Sequence, residues 1–287
     1  MTRAPVRVFV AAALVVGGLL PPLAAQELTL PNLTDSVKFA AMGDNGTGDR
    51  PEYDTANQMA AWHDRFPFDF VIMLGDNMYG SQKPADFVQK FERPYRPLLE
   101  TGVRFYASLG NHDNPGNNAY KPFNMNGQRY YTYAKKNVRF FVLDSNYLDP
   151  EQVEWITTGL RDASEPWKIV YFHHPLYSDG GRHGPTVDLR VRLEPIFVKY
   201  GVNVVYSGHD HIYERLKPQK GILYFVSGAG GELRKGDIEP SAQMAAGFDQ
   251  DRSFMLNEIA GDELHFQVIS RTGQTVDRGT MRREHGE

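Results

Sequence analysis

Gly43-Asp44-Asn45-Gly46, Gly75-Asp76-Asn77-Met78-Tyr79, Gly110-Asn111-His112-Asp113, His173-His174-Pro175 and Gly208-His209-Asp210-His211 follow one another along this chain. Each is rich in groups that bind hard cations. Carboxylate, amide, phenol and imidazole ligands are together enough to hold two neighbouring metal ions, and two ions are what in-line displacement at phosphorus uses. The set predicts a two-metal phosphoesterase.

Two ions a few ångströms apart repel strongly, so a carboxylate must bridge them. Asp44 and Asp76 are the candidates, each following a glycine that lets the backbone turn sharply at a strand end. A single Gly-Asp is ordinarily a capped turn; two copies together with the histidine motifs point to metal instead. In the His209-Asp210-His211 triplet, extended geometry places both imidazoles on one side and turns Asp210 away, to support the loop. Asn111 offers a neutral oxygen ligand and leaves His112 to act on substrate. His173 and His174 compete for one ligand role, because adjacent strand residues face opposite ways, and His174 reads as a supporting or core histidine. His63, His265 and His285 lie outside every motif and read as surface or packing residues.

The elements that must position these groups are legible as apolar runs. Residues 37–42, 70–74 and 103–109 are short buried-type strands, each ending in glycine and a ligand type. Helical spacing over 55–66 and 86–91 makes the first third β-α-β-α-β, and ligands in such sheets collect beyond the carboxyl ends of the strands. Residues 114–128, rich in Asn, Gly and Pro, predict a long loop near the site. A hairpin follows over 130–133 and 138–144. Asp149 caps a helix to about 163, with Pro150 at its first position. Strands over 167–172 and 202–207 lead into His173 and Gly208, with an amphipathic helix over 189–199 between them. Residues 222–227, 253–259, 264–270 and 276–281 alternate as half-exposed antiparallel strands, and 282–287 reads as a frayed tail.

Arg3 and Arg7, an apolar stretch from Val8 to Leu20, and the small pair Ala24-Ala25 have the order of a secretory signal peptide. Cleavage after Ala25 is expected, giving residues 1–25 as signal and 26–287 as a single domain, exported to the periplasm or medium. The apolar run is short for a membrane span. The chain has no cysteine, so export brings no disulfide. Among its 287 residues the formal net charge is −4, and no basic run stands out. That argues against nucleic acid or an anionic membrane as partner. A small-molecule phosphate ester is the expected one, and oligomeric state is not legible.

The five motifs resemble the calcineurin-like metallophosphoesterase superfamily and, within it, the purple acid phosphatases. The superfamily's first motif has Asp-x-His, whereas Asp44-Asn45-Gly46 lacks the histidine. Tyr79, three residues after Asp76, stands where the purple acid phosphatases place a metal-binding tyrosine. His183-Gly184-Pro185-Thr186 and Ser227-Gly228-Ala229-Gly230 look like the short, mammalian-type members, without the plant-type N-terminal sandwich. The resemblance implies one metal held by Asp44, Asp76, Tyr79 and His211, and a second by Asp76, Asn111, His173 and His209, with Asp76 bridging. His112 and His183 would be catalytic, non-ligand histidines near the phosphate.

The implied cofactors are two metal ions: ferric iron on the tyrosine side, with ferrous iron, zinc or manganese beside it. The implied reaction is hydrolysis of a phosphate monoester by metal-bound hydroxide. A phosphodiesterase or nucleotidase on the same site, and a binding module that has kept only the fold, are the alternatives. The expected fold is α/β, a four-layer α-β-β-α sandwich of two mixed sheets flanked by helices.

Overall fold

The computed structural model describes Met1 and residues 27–283. The proposed signal segment, apart from Met1, and the last four residues, with His285, lie outside the described residues. No helix among the described residues is long and apolar enough to cross a membrane.

Among the described residues, thirteen strands form two mixed sheets. In the first, β1 (Val37–Met42), β2 (Phe70–Leu74) and β3 (Arg104–Ser108) run parallel. Beyond β1 the sheet continues antiparallel through β11 (Ser253–Ala260), β12 (Glu263–Ser270) and β13 (Thr275–Arg282). The second sheet is centred on parallel β5 (Val138–Val142), β6 (Trp167–Tyr171), β7 (Val204–Ser207) and β9 (Leu223–Ser227). Antiparallel β4 (Tyr131–Lys135) closes one edge, and β8 (Tyr213–Leu216) with β10 (Met244–Phe248) the other.

The sheets meet through a fully buried aromatic layer. Phe39 of β1 stacks on Phe70 of β2 at 5.4 Å and meets the edges of Phe140 and Tyr206 from the facing sheet at 5.5 and 6.0 Å. Each such ring pair contributes about 0.5–1.5 kcal/mol beyond its area burial. Helix α1 (Arg50–His63) covers the outer face of the first sheet with Ala56, Met59 and Trp62. A short helical run follows β2: α2 (Pro84–Phe87), a π turn over Val88–Glu92, and α3 (Arg96–Glu100). Helices α4 (Pro150–Asp162) and α5 (Val187–Lys199) cover the second sheet, burying Ile156, Leu160, Leu193 and Phe197 against Phe141, Val170 and Val205. Two mixed sheets flanked by helices is the expected architecture. Asp149 caps α4 as predicted, its Oδ1 accepting the Gln152 N–H at 2.8 Å.

Several local expectations need correction. Helix α1 starts five residues earlier than its apolar spacing suggests, because Asp49 is extended and Pro51 sits in the first turn, where its missing N–H costs nothing. The late strands are not uniformly half-exposed and antiparallel. β9 is buried throughout and pairs parallel with β7. β11 is buried on both faces, since the segment before β1 covers it: Glu258 accepts the N–H groups of Asn32 and Leu33 and the Ser36 hydroxyl. Strands β8 and β10 have no apolar alternation to announce them.

Candidate metal centre

All the parallel strands deliver their carboxyl ends to one rim. β1, β2 and β3 lead into Asp44, Asp76 and Asn111; β6 and β7 lead into His173 and His209; β5 leads into Asp144-Ser145-Asn146. The two sheets face each other, so residues far apart in sequence converge there.

The turn at each carboxylate is made by the aspartate itself. Asp44 has φ 56° and Asp76 has φ 51°, in the left-handed region that non-glycine residues seldom occupy. Gly75 is also left-handed, at φ 86°, whereas Gly43 is not, so the expectation that glycine makes both turns holds for one motif only. Gly110 serves close approach: a Cβ there would lie 2.1 Å from Asp76 Oδ1. His209, at φ 72°, is left-handed too, which corrects the extended reading of His209-Asp210-His211. Three outliers at one rim fit the tendency of strained backbone to gather at functional sites.

The side chains fall into two groups on either side of the carboxylates. Tyr79 Oη lies 3.0 Å from Asp44 Oδ1 and 3.2 Å from His211 Nε2, which is itself 3.3 Å from Asp44 Oδ1. On the other side, His173 Nε2 lies 3.0 Å from Asn111 Oδ1, 3.1 Å from His209 Nδ1 and 3.4 Å from Asp76 Oδ2. Asp44, Asp76 and His173 offer ligand atoms all within 4.8 Å of one another. Both histidines of the triplet therefore reach the rim, but at different places. Asp210 points away, buried, and accepts the Ser178 hydroxyl at 2.5 Å.

This donor set fits metal ions. His173 Nδ1 is 2.9 Å from the Leu74 carbonyl, so that nitrogen donates and Nε2 presents its lone pair to Asp76, Asn111 and His209. Electron pairs converging in a buried place need positive charge among them. Without a cation, protons must supply it. Burial pulls the His173 imidazole down, but Asp76 and Asp44 overcome this and push it up to about 9. Burial would raise the Asp76 carboxyl, yet His173 and the His112 N–H hold it well below the usual carboxylate range. Burial, with His173 next, holds His209 down at about 2. Burial, Asp44 and Asp76 push the Tyr79 phenol far up, so only a strong Lewis acid would take its proton.

His112 and His183 stand outside the two groups. The His112 side chain is half exposed, its Nε2 4.0 Å from Asp76 Oδ2 and its ring 4.8 Å from that of Tyr79. His183 stacks beside His209 at 4.3 Å; burial and the charges of Arg234, His211 and Arg182 lower its pKa. His174 differs from expectation. β6 ends at Tyr171, so strand alternation does not govern residues 173 and 174, and His174 lies on the same rim. Its ring is 4.4 Å from that of His209, and its Nδ1 pairs with Ser145 Oγ at 2.9 Å.

Bracing residues were missed by motif reading. Buried Asp113 ties two strand ends together, accepting from Asn77 N at 3.1 Å, Met78 N at 3.0 Å and Gly110 N at 2.9 Å. Lys90 donates to the carbonyls of Tyr79 and Ser81 at 2.5 and 2.7 Å, clamping the tyrosine loop. Asp113 stood inside the Gly110–Asp113 motif without an assigned role, and Lys90 inside the stretch of helical spacing over 86–91.

Oxygen and imidazole donors arranged around two carboxylates, at the joint rim of paired mixed sheets, are the construction of a metal-dependent phosphoesterase. The calcineurin-like phosphoesterase family model matches residues 37–213. Human tartrate-resistant acid phosphatase type 5 is 31% identical, over 88% of this chain and 94% of that one. Purple acid phosphatase PPD1 from yellow lupin seeds has the same fold, with a TM-score of 0.74 at 20% identity over 89% of this chain and 55% of the lupin chain. So does GAP50, the anchor in the inner membrane complex of Plasmodium, with a TM-score of 0.73 at 18% identity over 87% and 90%. The chain belongs to the calcineurin-like phosphoesterase family, and within it to the purple acid phosphatases.

Proposed function

We propose that this protein is an exported acid phosphatase that hydrolyses phosphate monoesters at a centre of two metal ions. One ion would be held by Asp44, Asp76, Tyr79 and His211, the other by Asp76, Asn111, His173 and His209, with Asp76 shared. The observation that carries this reading is the sorting of the donors. The phenol and one imidazole gather within 3.3 Å of Asp44, while the Asn111 amide and the His209 imidazole gather within 3.1 Å of His173 Nε2, itself 3.4 Å from Asp76.

The ions, when bound, supply Lewis acidity to the phosphoryl oxygens and a nucleophilic hydroxide at mildly acidic pH. The protein's own part is orientation and proton transfer. His112 and His183, which belong to neither ligand group, would contact the phosphate and donate a proton to the leaving oxygen. The Tyr79 phenol favours ferric iron, because neighbouring carboxylates oppose its ionisation and a trivalent ion overcomes them best.

A fold can outlive its chemistry, and the anchor GAP50 shares this fold. A complete donor set favours catalysis in this chain. The test is hydrolysis of an aryl phosphate monoester by the purified protein, with metal content measured on the same preparation. About two metal ions per chain, and activity lost on stripping and restored on reloading, are expected. Undiminished turnover in a metal-free preparation would overturn the reading, as would a metal-replete protein with no phosphatase activity. Sequencing the N-terminus of protein recovered outside the cytoplasm tests export, with Gln26 expected first.

A further inference from the structure

Beside the proposed metal centre lies a cavity of about 640 Å³ that shares only Asn111 with the proposed ligand set. Asn111 and His174 form its inner wall, so it opens directly onto the place where the phosphate would sit. Asn146 and Tyr147, just past β5, and Thr186 and Asp188, at the start of α5, are also part of its wall. Its wall includes carboxylates but no lysine or arginine among the described residues. Asp144 is neutralised by Arg129 at 3.0 Å. Asp188 is exposed, and no hydrogen bond or ion pair among the described residues engages its carboxylate. The Tyr147 ring is 64% exposed, unusual for so large an apolar surface in this protein. The opposite flank, around His183, carries Arg182 and Arg234 instead.

An open aromatic face near an unpaired carboxylate attracts an organic cation, through the ring quadrupole and through charge, and repels an anion. Resting on the phosphatase reading above, we propose that this cavity receives the leaving alcohol and selects alcohols that carry a positive charge. The substrate class is the phosphate monoester of an amino alcohol, with the ammonium group between Tyr147 and Asp188. Water adds its oxygen to phosphorus as the bond from phosphorus to the alcohol oxygen breaks. The alcohol leaves with a proton, giving inorganic phosphate and the free amino alcohol. Tyr147 and Asp188 determine specificity and take no part in the bond changes.

The test is kcat/KM of the metal-loaded full chain on three monoesters that differ in charge: phosphocholine, glycerol 3-phosphate and 3-phosphoglycerate, with an aryl phosphate as reference. Phosphocholine should exceed 3-phosphoglycerate by roughly tenfold or more. In Asp188→Asn the ratio of the two should fall about three- to tenfold, and Asp188→Lys should invert it. Tyr147→Ala should lower the phosphocholine to glycerol 3-phosphate ratio by roughly threefold or more. Equal rates on the cationic and anionic esters, or ratios untouched by both Asp188 substitutions, overturn the subsite while aryl phosphate hydrolysis leaves the phosphatase reading standing. If a metal-loaded protein hydrolyses none of the four, the phosphatase reading falls and the subsite with it.

Discussion

Tyr79 Oη lies 3.0 Å from Asp44 Oδ1, although the two residues follow different strands and are 35 positions apart. The loop that carries the tyrosine is anchored to the first strand end by the Tyr79 N–H donating to the Gly46 carbonyl at 2.9 Å. From beneath, Lys90 holds its carbonyl. A phenol fixed so close to a buried carboxylate and an imidazole can serve as a ligand without rearrangement. If it is a phenolate on ferric iron, the oxidised protein absorbs visible light by charge transfer from that oxygen. Tyr79→Phe should bleach the band while iron remains bound through Asp44, Asp76 and His211. A wild type with iron confirmed and no visible band would show that the phenol is not a ligand.

Asp76 is expected to matter more than Asp44. It lies 3.4 Å from His173 Nε2, and as the proposed bridge its charge would be shared by both ions. Asp76→Asn should lose at least one metal ion and activity by roughly 10³-fold or more, with Asp44→Asn milder. Metal analysis beside steady-state rates decides this. A mutant at position 76 that keeps two ions and near-normal turnover would assign the bridge elsewhere.

His112→Ala and His183→Ala should lower turnover by about 10²- to 10⁴-fold, as removal of a proton donor typically does. Metal content should stay intact, because neither imidazole belongs to a donor group. Esters with poor leaving groups should suffer most. Loss of a metal ion from either variant would identify that histidine as a ligand.

Stability should depend on Glu214, buried in β8 and not among the proposed ligands. Burial pushes its carboxyl up from the ordinary 4.5 to about 7, with the charges of Asp179 and Asp210 adding to the shift and the Asp179 N–H opposing it. The folded state therefore keeps a proton that the unfolded chain releases. Unfolding free energy should fall as pH rises from about 4.5 to about 7, then level off. Glu214→Gln, which can still accept from Asp179 N, should flatten that slope and gain roughly 1–3 kcal/mol near neutral pH. Melting temperatures of both proteins across this range measure it. Parallel curves would mean that Glu214 does not carry the titration.

Much of the architecture could be read from the chain because its signals are local. Phe70–Leu74 is apolar throughout and Val37–Met42 is apolar but for Lys38, as suits strands covered on both faces, and glycine with a polar residue marks where each ends. Strands this apolar need cover on both faces, here helices on one and the second sheet on the other, so the α/β class followed. The motif residues were legible for the same reason: Asp, Asn, Tyr and His just past a buried strand have few structural uses. Local pattern failed where burial came from distant chain. β11 looked half exposed because Asn257 and Glu258 are polar, but the residues before β1 hydrogen-bond the Glu258 carboxylate and Tyr206 of the facing sheet donates to Asn257 Oδ1.

Which donors stand together is a different kind of fact. Strand periodicity placed His209 and His211 side by side and sent His173 and His174 apart. Past a strand end that periodicity no longer applies, and a left-handed residue at His209 sends the two imidazoles to different partners. His174 and Ser145 became neighbours only because β5 and β6 lie parallel and end at one rim. The cavity beyond them exists because α5 begins opposite the end of β5. The residue types came from the sequence alone, since chemistry is carried by single side chains. Their grouping around Asp44 and Asp76 depended on the packing of one sheet against the other, which brings together atoms that no spacing along the chain relates.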